Sequence, residues 1–516
     1  MPLKPSLFTN VYKPDVISCL ADLSNDEVFT PPSVANRMLD MLPQELFSDP
    51  DTKFLDPACK SGVFLREIAK RLIKGLAGRF PDLQKRCDWI FQHQLYGIAI
   101  TELTSLLSRR SVYCSKYPNS PFSVSKFDDV QGNILYHKIE HTWENGKCKY
   151  CGISQNNSLN DTERDGMESH AYEFIHNQQP EDIFKMKFDV VISNPPYQLS
   201  DGGGNGASAK PIYQLFVEAA IKLNPRYVSM ITPSRWFSGG KGLDEFRDHM
   251  LHDNHIKVLH DFPDAGDCFP NVQIKGGVSY FLWDKTYTGN CAVYSHNGDK
   301  VSGPVVRPLL ENGCDTFIRY NEAIGILHKV LDKHEPSVED IVSVRMPFGL
   351  PNTYKGNPKK TSPSDVIIYV SGNDREIRGT AAYIPLDEIP KGRDLIDKYK
   401  VYIGKAGSGS DSFPHSILTK PFFGEKGSIC NESYLVIGPF KTKNECKNMM
   451  SYISTKFFRF LVLLKKTTQN APKSVYSLVP QQDLSRSWND DELYKKYGIT
   501  PEESSFIDTL IRPMDL

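Results

Sequence analysis

Four residues whose types and order can do chemistry lie at Asn194-Pro195-Pro196-Tyr197, directly after the apolar run 188–193. The run predicts a buried strand, and the two prolines end it because they have no N–H to donate to a ladder. The motif is therefore expected at the carboxyl edge of a sheet, where open α/β sheets bind ligands. An amide, a rigid carbonyl-rich turn and an aromatic ring at that edge suit a planar substrate that carries an amine.

The chemistry explains why these residue types are needed. An exocyclic amine such as that of adenine is a poor nucleophile, because its lone pair is delocalised into the ring. The Asn194 side-chain oxygen and the Pro195 carbonyl can accept its two hydrogens, and Tyr197 can stack on the ring as aromatic side chains do on extruded bases. Positioning and preorganised dipoles then lower the barrier to methyl transfer without a metal. A strand-ending turn without chemistry is the alternative reading of this motif alone.

A second motif upstream has the composition of a nucleotide-binding turn. A short strand that begins at Lys53 runs into a small-residue loop, and apolar residues from Val63 to Leu72 recur at helical spacing. Such a strand, loop and helix present backbone N–H groups to a ligand. The candidate binding residues of this loop are Asp56, Pro57, Ala58, Cys59, Ser61 and Gly62.

In this order, the two motifs resemble those of the gamma-type N6-adenine DNA methyltransferases of restriction–modification systems, including type II and type IIG-like methylases. The resemblance covers residues 1–285 well and the remainder loosely. It implies that the loop binds the methionine part of S-adenosylmethionine, with Lys60 in place of the family's first glycine. It also implies a cofactor contact from Thr30, in Phe29-Thr30-Pro31-Pro32.

The same resemblance implies three more cofactor contacts. The family has an acid two residues after the glycine of the second strand, where this sequence has Ala99, so Glu102 is the expected partner of the ribose hydroxyls. Asn133 replaces the acid that binds the cofactor's adenine amine, and an amide can accept the same bond. Asn194 is expected to contact the cofactor as well as the substrate.

The resemblance continues beyond the catalytic motif. Residues 201–210 form a Gly-, Ser- and Asn-rich loop that can close over substrate or simply connect two elements. Phe269 resembles the ring that stacks on the second face of the flipped base, and an ordinary core position is the alternative. Buried strands are predicted at 227–232, 258–262 and 276–283, the last of which is expected to complete the sheet.

An insertion at 137–182 interrupts the expected methyltransferase core and predicts a zinc site. Asn145-Gly146 is a two-residue hairpin signal that would return His141 to the C-x-x-C pair formed by Cys148 and Cys151. Two cysteines and two histidines make a closed, structural tetrahedral site. One C-x-x-C is less specific than two, so the site stays a hypothesis. The predicted ligands are His141, Cys148, Cys151 and His176, with His170 as a substitute histidine.

Residues 286–516 have a different composition and resemble, less specifically, a DNA target-recognition domain. A helix is predicted over 451–466, with its aromatic residues packed inward and its basic residues facing solvent or DNA. Such a domain would position itself on phosphates and read base edges. Residues 488–516 predict a helical cap, with a helix start at Thr500-Pro501.

Composition agrees with this division. At 516 residues with 40% hydrophobic content, the chain is globular and long enough for two domains. It has no apolar stretch of membrane-spanning length and no secretory signal, so no membrane partner is expected. Eleven cysteines, an odd number, favour the reducing cytosol of a prokaryote. A net charge of −1 requires that a DNA enzyme segregate its charges.

The sequence therefore predicts a doubly wound, Rossmann-like α/β methyltransferase sheet with an inserted zinc knuckle and a C-terminal α+β target-recognition domain. The predicted function is N6-adenine methylation of double-stranded DNA, alone or beside a cognate restriction endonuclease. Methylation of RNA or of a protein glutamine amide is one alternative, because those enzymes can also carry Asn-Pro-Pro-Tyr. An added endonuclease is another, for which Glu445-Cys446-Lys447 is an E-x-K candidate. A specificity subunit with an inert core is the third.

Overall fold

The computed structural model describes most of the chain, which forms two compact units, Met1–Pro308 and Leu309–Leu516. His170 and most of the predicted Gly-rich loop, residues 201–209, lie outside the described residues. The described ranges are 28–152, 171–177, 180–199, 210–270, 272–370, 380–407, 414–466 and 469–516.

The first unit alternates strands and helices along most of its length. Its helices are α1 (Pro32–Asp40), α2 (Val63–Gly75), α3 (Leu83–His93), α4 (Glu102–Tyr113), α5 (Glu173–His176), α6 (Tyr213–Lys222) and α7 (Asp244–His252). Its strands are β1 (Phe54–Cys59), β2 (Leu95–Ala99), β3 (Ile134–Leu135), β4 (Trp143–Glu144), β5 (Lys147–Cys148), β6 (Val190–Ser193), β7 (Gln198–Leu199), β8 (Lys210–Pro211), β9 (Tyr227–Pro233), β10 (Ile256–Phe262), β11 (Val278–Asp284), β12 (Cys291–Asn297) and β13 (Lys300–Arg307).

Nine of these strands form one sheet in the order β13-β12-β10-β11-β9-β6-β1-β2-β3. Strands β3, β2, β1, β6 and β9 are parallel to one another, and β11 runs antiparallel to both β9 and β10. The mixed α/β architecture with a mostly parallel sheet is as predicted. The carboxyl ends of the two neighbouring strands β1 and β6 meet at one edge, so the loops that follow them are brought together.

The sheet does not end at β11, so the prediction that residues 276–283 complete it is wrong. Strand β12 pairs in parallel with β10, and β13 returns antiparallel beside β12. These two strands place the division between the compact units after Pro308, later than the boundary predicted after residue 285. The signal was present in the sequence, because Gly298-Asp299 is a two-residue hairpin loop between the two strands.

The central strands are stabilised mainly by the burial of their apolar residues. All residues of β1 and β6 are buried, as expected for parallel strands covered on both faces. Helix α2 buries Phe64, Ile68 and Leu72 against the same core. Each such side chain contributes about 1.5–3 kcal/mol of transfer free energy.

The second unit contains two small sheets and a helical layer. Its strands are β14 (Val366–Val370), β15 (Thr380–Ile384), β16 (Tyr399–Gly404), β17 (Phe422–Gly424), β18 (Ser428–Cys430) and β19 (Tyr434–Phe440), ordered β15-β14-β18 and β17-β16-β19. Its helices are α8 (Ala323–Leu331), α9 (Lys443–Ser454), α10 (Lys456–Lys465), α11 (Asp490–Tyr497) and α12 (Pro501–Leu510). The predicted helix start at Thr500 is confirmed, since Thr500 caps α12.

The single helix predicted over 451–466 is two helices, α9 and α10, separated at Thr455. Its aromatic residues are buried as predicted. The prediction that its basic residues face solvent or DNA is wrong for Arg459, which is 0% exposed. The Arg459 guanidinium donates to the carbonyls of Ser454 at 2.9 Å and Arg512 at 2.7 Å. Lys465 also has a partner within the protein, because its Nζ forms an ion pair with Asp315 at 2.6 Å.

Within the described ranges, no helix is both long and apolar enough to cross a membrane.

Candidate active site and metal-binding group

The catalytic turn predicted from the sequence lies where the chain leaves β6. Asn194 follows Ser193, the last residue of the strand, and Tyr197 precedes the short strand β7. Asn194 is 3% exposed and Tyr197 is 8% exposed. The turn is therefore a buried feature at the carboxyl edge of the sheet.

Hydrogen bonds orient the Asn194 side chain. Its Nδ2 donates to the carbonyl of Val28 at 2.9 Å and to Oγ1 of Thr30 at 3.0 Å. Because a carbonyl can only accept, the bond to Val28 identifies which amide atom is the nitrogen. Oδ1 is buried and has no hydrogen-bond partner among the described residues. A buried acceptor without a donor costs free energy, so this oxygen is prepared for a ligand N–H.

The carboxyl-terminal half of β1 is joined directly to the strand that carries the turn. The hydroxyl of Ser193 donates to Oδ1 of Asp56 at 2.6 Å, and the N–H of Ala58 donates to the same oxygen at 3.2 Å. Burial raises the pKa of Asp56 to about 6, although these hydrogen bonds and the charge of Lys60 act in the opposite direction. Asp56 is thus an acid that changes protonation close to neutral pH.

Glycine is required at the end of this loop. Gly62 has φ +73° and precedes α2. A Cβ at this position would lie 3.0 Å from the Cα and 3.1 Å from the carbonyl oxygen of Ser108 on α4. Both the left-handed backbone and the close approach of α4 exclude a side chain. The tight turn expected from the sequence is retained although Lys60 replaces the first glycine.

Lys60 lies between the loop and the catalytic turn. It is buried, and its Nζ donates to the carbonyl of Val28 at 3.1 Å. The same nitrogen lies 5.9 Å from the centroid of the Tyr197 ring, within cation–π range. The departure from the family pattern therefore places a cation beside the predicted stacking residue.

A cleft with about 210 Å³ of empty space, part of it open to solvent, opens between these elements. Six of the predicted cofactor residues line it, and three further residues, among them Lys60, were not in the predicted set. The lining residues are Thr30, Asp56, Ala58, Lys60, Ser61, Gly62, Val63, Phe64 and Asn194. Val63 and Phe64 follow the loop directly in sequence. Their position at the predicted start of the helix could have identified them as lining residues.

Four other predicted cofactor residues lie outside this lining. Pro57 is within β1, and the thiol of Cys59 donates to Oγ of Ser108 at 3.1 Å. Glu102 is exposed and begins α4 directly after the carboxyl end of β2. Asn133 donates its amide N–H groups to the carbonyls at the end of α3, 2.9 Å and 3.1 Å away. Roles for these side chains toward a cofactor remain predictions.

The two predicted stacking rings have different surroundings. Phe269 is 1% exposed and belongs to the apolar core of the first unit, as the alternative interpretation expected. The Tyr197 hydroxyl is buried and has no hydrogen-bond partner within the described ranges, and burial raises its pKa well above the usual value. Base stacking by either residue remains a prediction.

Comparisons with known proteins show which family the chain belongs to. The model of the Eco57I restriction-modification methylase family matches residues 93–269, a range that contains the predicted catalytic turn. An uncharacterized adenine-specific methylase of Mycoplasma pneumoniae (strain ATCC 29342 / M129 / Subtype 1) is 38% identical over 307 residues, which are 54% of this chain and 72% of that protein. The chain belongs to the adenine-specific methylases. The enzyme class and the restriction–modification resemblance predicted from the sequence are confirmed.

Solved structures similar to the methylase include the type IIG restriction endonuclease BpuSI and the type IIL restriction-modification enzyme MmeI in complex with DNA. The first is 14% identical, with a TM-score of 0.40 and coverage of 94% of this chain and 62% of that chain. The second is 12% identical, with a TM-score of 0.46 and coverage of 90% and 64%. The methylase thus spans somewhat less than two thirds of these longer chains.

The insertion of the methylase folds as the sequence predicts around Asn145-Gly146. Strands β4 and β5 pair antiparallel, and both turn residues have positive φ. The hairpin brings a histidine beside the C-x-x-C pair, and α5 adds a second histidine. One potential ligand atom from each of the four predicted residues lies within 4.8 Å of the other three, in the group His141, Cys148, Cys151 and His176. The methylase therefore has a group that can hold a metal.

The E-x-K candidate for a nuclease is a helix cap. The Glu445 carboxylate accepts from the N–H groups of Lys441 at 2.7 Å and Thr442 at 3.3 Å. Thr442 in turn accepts from the N–H of Glu445, which completes a capping box at the start of α9. Helix capping accounts for the Glu445 carboxylate. The arrangement therefore favours the prediction of a methylase over that of an endonuclease site at this position.

Proposed function

We propose that this methylase transfers a methyl group from S-adenosylmethionine to the N6 amine of an adenine extruded from double-stranded DNA. It would act as the modification component of a restriction–modification system, beside a cognate restriction endonuclease, in the prokaryotic cytosol. The observation that carries the proposal is the Asn194 side chain, which lines the cleft and whose buried oxygen lacks a donor among the described residues.

The residues around the cleft fit the methionine portion of the cofactor. Gly62 lines the cleft and lets the chain turn into α2, and the N-terminus of that helix favours a negative group. Lys60 supplies a cation for a carboxylate, and Asp56 supplies an acid for an ammonium or sulfonium group. The bound cofactor would supply a methyl group on a positively charged sulfur.

The protein's part in the transfer is to orient and polarise the amine. Oδ1 of Asn194 and the carbonyl of Pro195 would accept the two amine hydrogens, while Pro196 keeps the turn rigid. The nitrogen lone pair would then point into the cleft, toward the methyl group that the cofactor would supply. The sulfur would keep the electron pair of its bond to that methyl group, and the methylated amine would release one proton to solvent. Tyr197 would hold the plane of the base. These are positioning and electrostatic contributions, and no general base is invoked.

The second unit, Leu309–Leu516, is proposed to recognise the DNA target. Three lysines in the chain that leads into β14 are exposed and suited to phosphate contacts. Each phosphate contact that is lost should lower the slope of log affinity against log salt by about 0.9. The lysines are Lys355, Lys359 and Lys360.

The reaction is tested with the purified full chain, methyl-labelled S-adenosylmethionine and genomic DNA, followed by analysis of the nucleosides. We expect the label in N6-methyldeoxyadenosine, and we expect Asn194→Ala to abolish it. RNA and glutamine-containing protein substrates are run in parallel. Label in cytosine, in RNA alone or in a glutamine amide would overturn the proposal, and so would a fully active Asn194→Ala variant.

A further inference from the structure

The four-residue His/Cys group is compact enough for one metal ion to be held by all four side chains, since their ligand atoms lie within 4.8 Å of one another. Nδ1 of His141 lies 3.6 Å from Sγ of Cys151. Ligand atoms of a tetrahedral zinc site lie about 3.4–3.8 Å apart, because Zn–N and Zn–S bonds are about 2.0–2.3 Å long. Three of the four residues are buried, so few water molecules can compete for the metal.

The surroundings of His176 select the nitrogen that would bind. Its Nδ1 lies 2.8 Å from the carbonyl of Tyr172, and because a carbonyl only accepts, Nδ1 carries the proton. The other nitrogen, Nε2, is buried and has no hydrogen-bond partner in the part of the chain that the structure describes. Metal-binding histidines have this outer hydrogen bond, which fixes the tautomer and the ring orientation. This buried, unprotonated nitrogen is therefore available to bind a metal.

The backbone around the cysteines has the form of a zinc knuckle. The N–H of Gly152 donates to the carbonyl of Cys148 at 2.9 Å, and Gly152 has φ +68°. The turn brings both sulfur atoms to one side, and two thiolates with two imidazoles are the ligands that zinc prefers in closed structural sites. A disulfide between the two cysteines would leave both histidines without a role.

We propose that this group binds one structural zinc ion and that the metal-bound knuckle positions the chain beside the catalytic turn. The ligands come from two segments of the insertion, the hairpin and α5, so the metal would clamp them together. The positioning of the chain beside the catalytic turn rests on the proposed function, whereas the metal site does not.

Two contacts connect the knuckle to the catalytic turn. Nζ of Lys210, the first residue of β8, donates to the carbonyl of Cys151 at 3.2 Å. Two residues later, the N–H of Ile212 donates to the carbonyl of Tyr197 at 3.2 Å. A metal ligand and a predicted base-stacking residue are thus linked through residues 210–212.

A packing contact reinforces this link. The rings of Tyr172 and Phe174, on either side of the start of α5, lie 5.8 Å and 6.0 Å from the ring of Phe216 on α6. Helix α6 begins directly after β8, so the helix that carries His176 packs against the element that follows Lys210. Loss of the metal would weaken both contacts of residues 210–216 with the insertion, namely the hydrogen bond from Lys210 to Cys151 and the packing of Phe216 against Tyr172 and Phe174.

The metal is tested on the full chain, purified without chelators, by elemental analysis. We expect one zinc per chain, and we expect cobalt substitution to give the absorption spectrum of a tetrahedral site with two thiolates. Cys148→Ser and His176→Gln should each lose the metal, whereas Cys114→Ser, at an exposed cysteine, should keep it. A zinc-free native protein, or full zinc content in both ligand variants, would overturn the site.

The coupling is tested with Lys210→Met, compared with Lys147→Met at an exposed lysine of the same insertion. We expect Lys210→Met to keep its zinc and its affinity for S-adenosylmethionine while the KM for DNA rises several-fold, and Lys210→Arg to restore it. Kinetics of Lys210→Met equal to those of the control would overturn the positioning role. Zinc content is read without any activity, so failure of the proposed function would leave the metal result standing.

Discussion

The hydroxyl of Ser193 donates a 2.6 Å hydrogen bond to the carboxylate of Asp56 across 137 positions of sequence. This bond joins the last residue before the predicted catalytic turn to the first polar residue of the predicted cofactor loop. The two motifs recognised separately in the sequence are therefore one hydrogen-bonded unit, and the protonation of Asp56 affects both.

Cofactor binding should depend on the ionisation of Asp56. Burial raises its pKa to about 6, so the carboxylate that can attract the positive groups of S-adenosylmethionine is lost as the pH falls through that value. We expect the affinity measured by calorimetry to fall between pH 7 and pH 5 in the native protein. Asp56→Asn should bind weakly at every pH, while Asp128→Asn, at an acid outside the cleft, should follow the native curve.

The same substitution should change stability in the opposite direction. A carboxyl whose pKa is raised on folding contributes stability below its unfolded pKa of about 4 and loses it as the pH rises through 6. Asp56→Asn should therefore stabilise the ligand-free protein at pH 8, by up to about 3 kcal/mol, and change it little at pH 4. Chemical denaturation at the two pH values measures the difference. Equal effects at both would contradict the raised pKa.

Removal of the Asn194 acceptor should separate catalysis from cofactor binding. In Asn194→Ala the methyl-transfer rate should fall about 100-fold or more, as for loss of one preorganised polar group in other enzymes. The side chain also holds Val28 and Thr30, so Thr30→Val is the matched control, because it removes one of those bonds and keeps Oδ1. A comparable rate loss in Thr30→Val would mean that catalysis depends on the hydrogen bond from Asn194 to Thr30 rather than on Oδ1 of Asn194.

Lys60 should recognise the cofactor's carboxylate. S-adenosylhomocysteine has that carboxylate and 5′-methylthioadenosine lacks it, so the native protein should bind the first much more tightly. In Lys60→Met this preference should largely disappear, while binding of methylthioadenosine stays nearly constant. Lys74→Met, at an exposed lysine of α2, is the control. An unchanged preference in Lys60→Met would place the carboxylate elsewhere.

Tyr197 and Phe269 should respond differently to substitution. Tyr197→Phe keeps the ring and removes only a buried hydroxyl that has no partner among the described residues, so it should keep base capture and stability. Tyr197→Ala should lose the fluorescence change of 2-aminopurine at the target position, since base stacking is worth about 1–3 kcal/mol. Phe269→Ala should chiefly destabilise the fold, by about 3–5 kcal/mol, because the ring is in the core.

The sequence predicted the features that depend on local signals. The continuous apolar run before Asn194 and its two prolines determine a buried strand and its end. Three members of the His/Cys group, His141, Cys148 and Cys151, could be selected because Asn145-Gly146 specifies where the hairpin turns, and hairpin register follows from the turn. Such signals act within a few residues, so they can be read without the fold.

Features that depend on distant segments could not be read in this way. Arg459 lies on an amphipathic helix whose charges suggest exposure, yet it is buried because main-chain carbonyls of Ser416 and Arg512 accept from it. Nothing near Arg459 in sequence specifies these partners. The break at Thr455 is different, since a Thr before an apolar run is a local helix N-cap signal, and Thr455 accepts from the N–H of Phe458.

A histidine pair in the large sheet should make the first unit sensitive to acid. Nδ1 of His260 on β10 lies 2.9 Å from Nε2 of His296 on β12, a contact that requires one of the two nitrogens to be unprotonated. Burial, the neighbouring histidine and the charge of Arg37 lower the pKa of His260 to about 3, and burial with Arg37 lowers that of His296 to about 4. Both rings are thus neutral in the folded protein at neutral pH.

A histidine pKa that is lowered on folding favours the folded state above the unfolded pKa of about 6.5, and this contribution is lost as the pH falls toward the folded value. Each ring should cost up to about 1.4 kcal/mol per pH unit in that window. Hydrogen exchange in β10 and β12 between pH 7 and pH 5 measures the slope. His260→Gln with His296→Gln should flatten it, whereas His252→Gln, at an exposed ring, should not. An equal slope in the double variant would show that other groups cause the acid sensitivity.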